Sequence, residues 1–248
     1  MSLLFFKKSS ICQWLPKLQA HRGYHMQGIQ ENTLAAIQKA FQMGYEMAEF
    51  DVHQTADGIV VLHHDALLKD VGFVRKLSLD NLRKVKNFDT LEDVLVWLSQ
   101  LENKSFKLNI EIKSKRIFSN SLEKKVCALI KKYNLSAQVM ISSFNPLSLM
   151  WVRFFHPSLY RALLLTFEIE KGNSWIIQKM GLNFLARPHV LNLRYQDWSK
   201  ARFATVLAWV PIVLWTCNDL KIYQKNKEDI YGIISDEITP EDFKKAWN

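Results

Sequence analysis

Short β-type runs alternate with helical patterns along nearly the whole chain, and this alternation limits the fold more than any other feature of the sequence. A weak run precedes His21. Others cover Tyr45 to Val52, Leu108 to Ile112, Val139 to Ile141, Tyr160 to Leu165, Asn183 to Ala186, Ile212 to Trp215 and Ile230 to Ser235. Asn32 or Thr33 can cap a helix through about Met43, and Gly44 ends it. Asp89 and Thr90 open a helix through about Leu101, and Asn120 to Tyr133 places Leu122, Val126, Leu129 and Ile130 on one helical face. Asn145 and Pro146 start another. Helical stretches are expected near Ser174 to Met180, from Tyr195 to Trp209 and over Asp219 to Lys227, and Pro240 suits the first turn of the last helix. Strand–helix alternation predicts a parallel sheet. About eight units within 248 residues predict an α/β chain closed into a (β/α)8 barrel.

One piece breaks the alternation. Ile59 to Leu62 follows the previous strand through the turn Thr55 to Gly58, too closely for a crossover. It is expected to form an extended arm over the barrel mouth. The stretch after it is short, so a small cap is expected and not a second folded domain. Residues 1–248 are therefore read as one domain. Nearly half of the residues are apolar, which allows one sizeable core. Only 8 glycines and 6 prolines argue against a disordered or repetitive chain.

The net charge of +9 is compatible with phosphate-bearing substrates, anionic membrane surfaces or nucleic acid. The densest basic clusters, Lys113 to Arg116 and Lys124-Lys125 with Lys131-Lys132, alternate with apolar residues and read as solvated helix faces. No nucleic-acid-binding motif accompanies the charge. Cys12, Cys127 and Cys217 are far apart and odd in number, which points to a reducing, cytoplasmic setting. At the start of the sequence the apolar residues Leu3 to Phe6 precede the lysines, the reverse of a secretory signal. They read as a frayed turn, with a peripheral interfacial contact as the alternative. No stretch approaches the roughly 20 apolar residues of a membrane span.

Residues two apart on a strand point to the same face. Glu49 and Asp51 therefore point together, with Phe50 and Val52 opposite. Asn109, Glu111 and Lys113 share a face in the same way. Both sets fall at the C-terminal ends of strands, the end that carries the site in a barrel of this type. Three converging carboxylates, Glu49, Asp51 and Glu111, need a bound cation, a Lys or Arg, or raised pKa values. Such oxygen ligands suit Mg²⁺ or Ca²⁺. His21, beside Arg22, and His64, before Asp65, could serve as general acid and base. The Arg22 fork suits phosphate oxygens. His25, His53, His63, His156 and His189 read as structural.

HRG at 21–23, ENT at 31–33, EFDVHQTADGIVVLHHD ending at Asp65, NIEIK at 109–113, ISSFNP at 141–146, LWTCND at 214–219 and GIISD at 232–236 occur in that order. Together they resemble the glycerophosphodiester phosphodiesterases, which are TIM barrels, over nearly the whole chain. The resemblance implies a divalent cation held by Glu49, Asp51 and Glu111, and His21 with His64 as the acid/base pair. It also implies phosphate contacts from Arg22 and Lys113, support from Glu31 and Asn32, and Trp215 as a wall for the glycerol or alcohol group. The implied reaction releases glycerol 3-phosphate and an alcohol from a small glycerophosphodiester, in lipid and glycerol metabolism. The substrate's own neighbouring hydroxyl is a candidate nucleophile, which would give a cyclic phosphate that water opens.

The chain departs from the family pattern in three places. Gln30 stands where the family usually has Pro. ALLKDVGFVRKLSLDNLRK replaces an Arg and a Thr-Gly-type turn. Ser235 replaces Thr before Asp236. The second of these bears on the alcohol group. One alternative is a phospholipase D-like enzyme acting on lysophospholipids or sphingolipids, for which Phe73, Val74 and Leu3 to Phe6 would be the apolar contacts. Another is a non-catalytic phosphate-binding barrel, which the filled acid/base and carboxylate positions disfavour.

Overall fold

The structure is a computed structural model and describes residues 8–114, 119–167, 183–200 and 210–246. The chain runs through α1 (Lys8–Trp14), β1 (Leu18–Ala20), α2 (Leu34–Gln42), β2 (Met47–Gln54), β3 (Val60–Leu62), β4 (Leu67–Leu68), β5 (Gly72–Phe73), α3 (Leu79–Arg83) and α4 (Leu91–Gln100). It continues with β6 (Lys107–Ile112), α5 (Ser121–Lys132), β7 (Val139–Ser143), α6 (Pro146–Phe155), β8 (Tyr160–Leu165), α7 (Asn183–Ala186) and β9 (Val190–Arg194). The last elements are β10 (Ile212–Trp215), α8 (Leu220–Lys225), β11 (Gly232–Ser235) and α9 (Pro240–Lys245).

Eight parallel strands form the ring β1-β2-β6-β7-β8-β9-β10-β11, and the β1–β11 and β1–β2 pairings close it. The expected (β/α)8 barrel is therefore present. The period of two divides each strand between two environments. Phe50, Val52, Ile110 and Ile112 face outward into the helices and are at most 1% exposed. Burying each such side chain contributes about 1.5–3 kcal/mol. Met47, Met140, Ala162, Val190, Val213 and Ile234 pack together with Ile11 and Leu15, which come from α1 and the residue just after it. This cluster fills one end of the barrel and leaves the C-terminal strand ends for polar side chains. The sequence pattern gave no hint of α1.

Local chemistry sets the helix starts where the sequence suggests. The Thr33 side chain accepts from the Ala36 amide. Thr90 and Asp93 form a reciprocal capping box, as do Thr239 and Asp242. Asn145 caps a helix whose first turn holds Pro146.

The arm also forms. β3 runs antiparallel to β2, pairing Val52 with Leu62 and Gln54 with Val60. After it comes a small cap, the β4–β5 hairpin and α3. Val61, Leu68, Val74, Leu82 and Phe88 bury one another there in a cluster separate from the main core. One strand is misplaced by the sequence reading. Asn183 to Ala186, read as a strand, is the short helix α7, and the barrel strand is Val190–Arg194. Tyr195–Asp197 form a 3₁₀ turn at the start of the helical stretch expected to reach Trp209. Residues 201–209, Ser174 to Met180 and Leu3 to Phe6 lie outside the described residues.

Candidate functional site

The first loop of the barrel has an unusual backbone. The His21 amide extends the β1–β11 ladder by donating to the Ser235 carbonyl. Arg22 and Gly23 then both take positive φ, 54° and 75°. A Cβ on Gly23 would sit 2.6 Å from the Ala36 carbonyl carbon, so only glycine fits. The turn sends the Arg22 amide to Glu49 Oε2 at 3.0 Å and the Gly23 amide to the Glu49 carbonyl at 2.9 Å. Asn32, also at positive φ, is buried and clasps Asp51 twice. Its Nδ2 donates to Asp51 Oδ2 at 3.0 Å, and its Oδ1 accepts from the Asp51 amide at 2.8 Å. Glu31 takes the Arg22 guanidinium on both carboxylate oxygens, at 2.8 and 2.9 Å.

Glu49, Asp51 and Glu111 converge inside the mouth. One oxygen from each lies within 4.8 Å of the others, and all three residues are buried. The β2–β6 register places Asp51 beside Glu111. Lys113 bridges that pair, 3.0 Å from Asp51 Oδ1 and 2.6 Å from Glu111 Oε1. Arg22 Nε stands 3.7 Å from Asp51 Oδ2. Burial pushes the Glu49 carboxyl well above its ordinary range, and the Asp51 and Glu111 charges push it further. Burial also raises Glu111, to about 7, in spite of Lys113. Asp51 moves the other way. Burial would raise it, but Lys113, His64 and Arg22 outweigh that and hold it at about 2. Burial would lower Lys113 as well, yet Glu111 and Asp51 keep it above its usual value. Burial together with the close carboxylates thus keeps Glu49 and Glu111 toward their protonated forms.

Two histidines flank the carboxylates, each held at Nδ1 by an aspartate. His21 Nδ1 is 2.6 Å from Asp236 Oδ1, and its Nε2 faces Glu49 Oε2 at 3.9 Å. His64 Nδ1 is 2.8 Å from Asp65 Oδ1. Burial, and after it the Lys113 charge, hold His64 below its ordinary pKa. The arm brings His64 to the mouth, since the His63 amide donates to the Asp51 carbonyl. The histidines read as structural divide into two groups. His53 Nε2 contacts the His64 carbonyl at 3.0 Å, and His25 lies 3.6 Å from Asp236. His156 and His189 lie away from the site. Trp215 ends β10, donates its indole N–H to the Asn192 carbonyl at 3.0 Å, and meets Phe144 edge-on at 5.4 Å.

All ten residues singled out from the sequence are therefore at or beside the C-terminal mouth. Two findings differ in detail. Lys113 and Arg22 are engaged with carboxylates, and Val74, read as an apolar contact, is fully buried in the cap. Asp236 and Asp65 were not assigned roles from sequence. The sequence signals for Asp236 are a carboxylate directly after the last strand and its place in the motif GIISD. Asn218 fixes it by accepting from the Asp236 amide at 3.0 Å and from Ser235 Oγ at 2.7 Å. Together the mouth offers acidic ligands for a hard cation, two imidazoles oriented through Nδ1, and a guanidinium and an ammonium for anion charge.

The model of the glycerophosphoryl diester phosphodiesterase family matches residues 21–239. A glycerophosphodiester phosphodiesterase of Caldanaerobacter subterraneus subsp. tengcongensis is 34% identical over 161 residues, covering 58% of this chain and 65% of the relative, just under two thirds of its length. A solved glycerophosphodiester phosphodiesterase from Thermotoga maritima superposes with a TM-score of 0.68 at 26% identity, covering 90% of this chain and 95% of the other. A phosphodiesterase from Oleispira antarctica, solved in complex with its product sn-glycerol-3-phosphate, superposes with a TM-score of 0.70 at 24% identity, covering 95% and 98%.

Proposed function

Because the chain belongs to the glycerophosphoryl diester phosphodiesterase family, we infer that it hydrolyses glycerophosphodiesters to glycerol 3-phosphate and an alcohol at this mouth. The observation that carries the reading is the buried carboxylate cluster set between two histidine–aspartate pairs.

The donor set fits a divalent cation. Three buried oxygen ligands converge, and among the described residues only the Lys113 and Arg22 cations stand near enough to offset their charge. Glu49, Asp51 and Glu111 would hold Mg²⁺ or Ca²⁺. When bound, such a cation supplies charge neutralisation for the phosphate oxygens. Each aspartate accepts from the Nδ1–H of its histidine and leaves Nε2 as the atom that exchanges protons with substrate. One of the two imidazoles takes the nucleophile's proton, and the other protonates the departing alcohol. Arg22 and Lys113 add positive charge where the transition state gathers negative charge. Their present carboxylate partners hold them in place at the mouth. Glu31 and Asn32 fix Arg22 and Asp51, and Trp215 walls the glycerol or alcohol group. Residues 1–248 act as one domain on a small-molecule substrate. The wide separation and odd number of Cys12, Cys127 and Cys217 support a reducing, cytoplasmic setting.

The test is release of glycerol 3-phosphate from glycerophosphocholine, glycerophosphoethanolamine and glycerophosphoglycerol with Mg²⁺, Ca²⁺ or EDTA. His64→Ala serves as the control. Metal-dependent turnover lost in that variant supports the reading. A folded, metal-loaded protein inert on all three diesters would overturn it. Phe73, exposed on the hairpin that starts just after the His64–Asp65 pair, favours a second reading, the phospholipase D-like action on lysophospholipids or sphingolipids. Choline release from lysophosphatidylcholine in the same assay distinguishes the two.

A further inference from the structure

The β4–β5 hairpin has two unlike faces. Its register pairs Leu67 with Phe73 and Leu68 with Gly72. Cross-strand partners share a face and neighbours along a strand alternate, so Leu67 and Phe73 lie together on the face opposite Leu68. Leu68 is buried in the cap cluster, whereas Leu67 is 54% and Phe73 39% exposed. Val71, beside the turn, is exposed as well. A hairpin of two-residue strands has no need for three apolar side chains in water, and a polar outer face would hold the same register.

Positive charge surrounds this apolar face. The Arg75 guanidinium lies 5.5 Å and the Lys76 ammonium 5.9 Å from the centre of the Phe73 ring, and Lys69 sits in the turn. Residues 66–86 carry six basic side chains against only Asp70 and Asp80, a large part of the chain's net +9. Apolar side chains ringed by Lys and Arg suit an interface where hydrocarbon meets anionic headgroups. A purely apolar partner would leave the cations unpaired, and an acidic soluble partner would leave Leu67 and Phe73 in water. Among the described residues no helix is long and apolar enough to cross a membrane, so the contact would be peripheral.

We propose that the outer face of the 67–73 hairpin, with Lys69, Arg75 and Lys76, docks this protein on anionic lipid bilayers and sets the barrel mouth against the membrane surface. The proposal does not depend on which diester is cleaved.

Flotation with phosphatidylcholine vesicles and with mixed phosphatidylcholine–phosphatidylglycerol vesicles tests it without any turnover. The protein is expected to float with the mixed vesicles only, and increasingly less as salt is raised. Leu67→Ser with Phe73→Ser should abolish flotation. Lys69→Gln with Arg75→Gln and Lys76→Gln should weaken it by on the order of 100-fold, about five-fold per basic residue. Both variants should keep the wild-type circular dichroism spectrum and urea midpoint, which shows the fold intact. Three results would overturn the proposal: no flotation with either vesicle, equal flotation with both, or flotation that the substitutions leave unchanged. A solution dimer that the Leu67/Phe73 variant dissolves would instead assign the face to a second copy of the chain.

Discussion

Nδ1 of His21 lies 2.6 Å from Oδ1 of Asp236, although 215 residues separate them in the chain. Barrel closure makes this contact, because β11 is the neighbour of β1 and both residues immediately follow their strands. With Nδ1 spoken for, the ring has one orientation and one free nitrogen. Asp236→Asn should lower kcat on a glycerophosphodiester by about 10²-fold or more while KM changes little, because it removes the charge that stabilises the imidazolium and lets an amide NH2 face Nδ1, which favours the other tautomer. Asp236→Glu should recover part of the loss. An unchanged pH–rate profile in Asp236→Asn would show that the pair is only structural.

Asp65 holds His64 in the same way, but with 70% of its side chain exposed against 28% for Asp236. Water screens the exposed pair more effectively. Asp65→Asn should therefore cost distinctly less kcat than Asp236→Asn under the same conditions, and equal losses would contradict this ordering.

Cation binding should release protons. Burial raises Glu111 to about 7, so it is partly protonated at neutral pH and must ionise to act as a ligand, and burial shifts Glu49 in the same direction. Affinity for Mg²⁺ or Ca²⁺ should rise with pH through the neutral range. Titration calorimetry in buffers of different ionisation enthalpy should show net proton release at pH 7. Glu111→Gln should reduce both the affinity and the proton count.

His189 makes an acid-sensitive contribution to stability. It is buried, its Nδ1 accepts from the Arg161 amide at 3.1 Å, and its amide donates to the Arg161 carbonyl. Burial, then the Arg161 charge, lowers its pKa to about 3 from the ordinary 6.5. The folded pKa is depressed, so the unfolded chain takes the proton first. Stability is complete above pH 6.5 and declines as pH falls toward 3. Between pH 6.5 and 5 the loss is at most about 2 kcal/mol. Urea midpoints at pH 7 and pH 5 measure it, and His189→Gln should flatten the difference.

Gly23→Ala should destabilise the fold by about 3 kcal/mol or more, from positive φ combined with the clash on Ala36. The urea midpoint reads the stability change. The same substitution should displace the Arg22 amide from Glu49 and so reduce activity in the protein that remains folded.

The barrel and most of its mouth were legible in the sequence because strand periodicity assigns alternate residues to opposite environments. Glu49 with Asp51, and Asn109 with Glu111, could be placed on inner faces from spacing alone. Asn183 to Ala186 was misread because its apolar residues fit a short strand as well as one helical turn. The true strand, Val190–Arg194, hides behind Pro188 and carries a polar Asn192 on its inner face. The hairpin was invisible, since strands of two residues have no period to detect. Lys113 was legible as a mouth residue, but its ion pairs with Asp51 and Glu111 depend on the β2–β6 register, which pattern cannot supply. The Asp236 contact was hidden for the same reason, because it exists only once the ring closes.

The arm that carries His64 is anchored unlike the rest of the mouth. Every barrel strand has a neighbour on both sides, whereas among the described strands β3 pairs only with the end of β2, burying Val60 and Leu62 in the main core and turning Val61 to the cap cluster with Leu68, Val74, Leu82 and Phe88. That cluster is small, so the cap should loosen before the ring does. One imidazole of the proposed acid/base pair thus sits on the arm and the other on the ring. On warming, turnover should fade while the ring still gives its full circular dichroism signal, and cooling should restore it without refolding of the barrel.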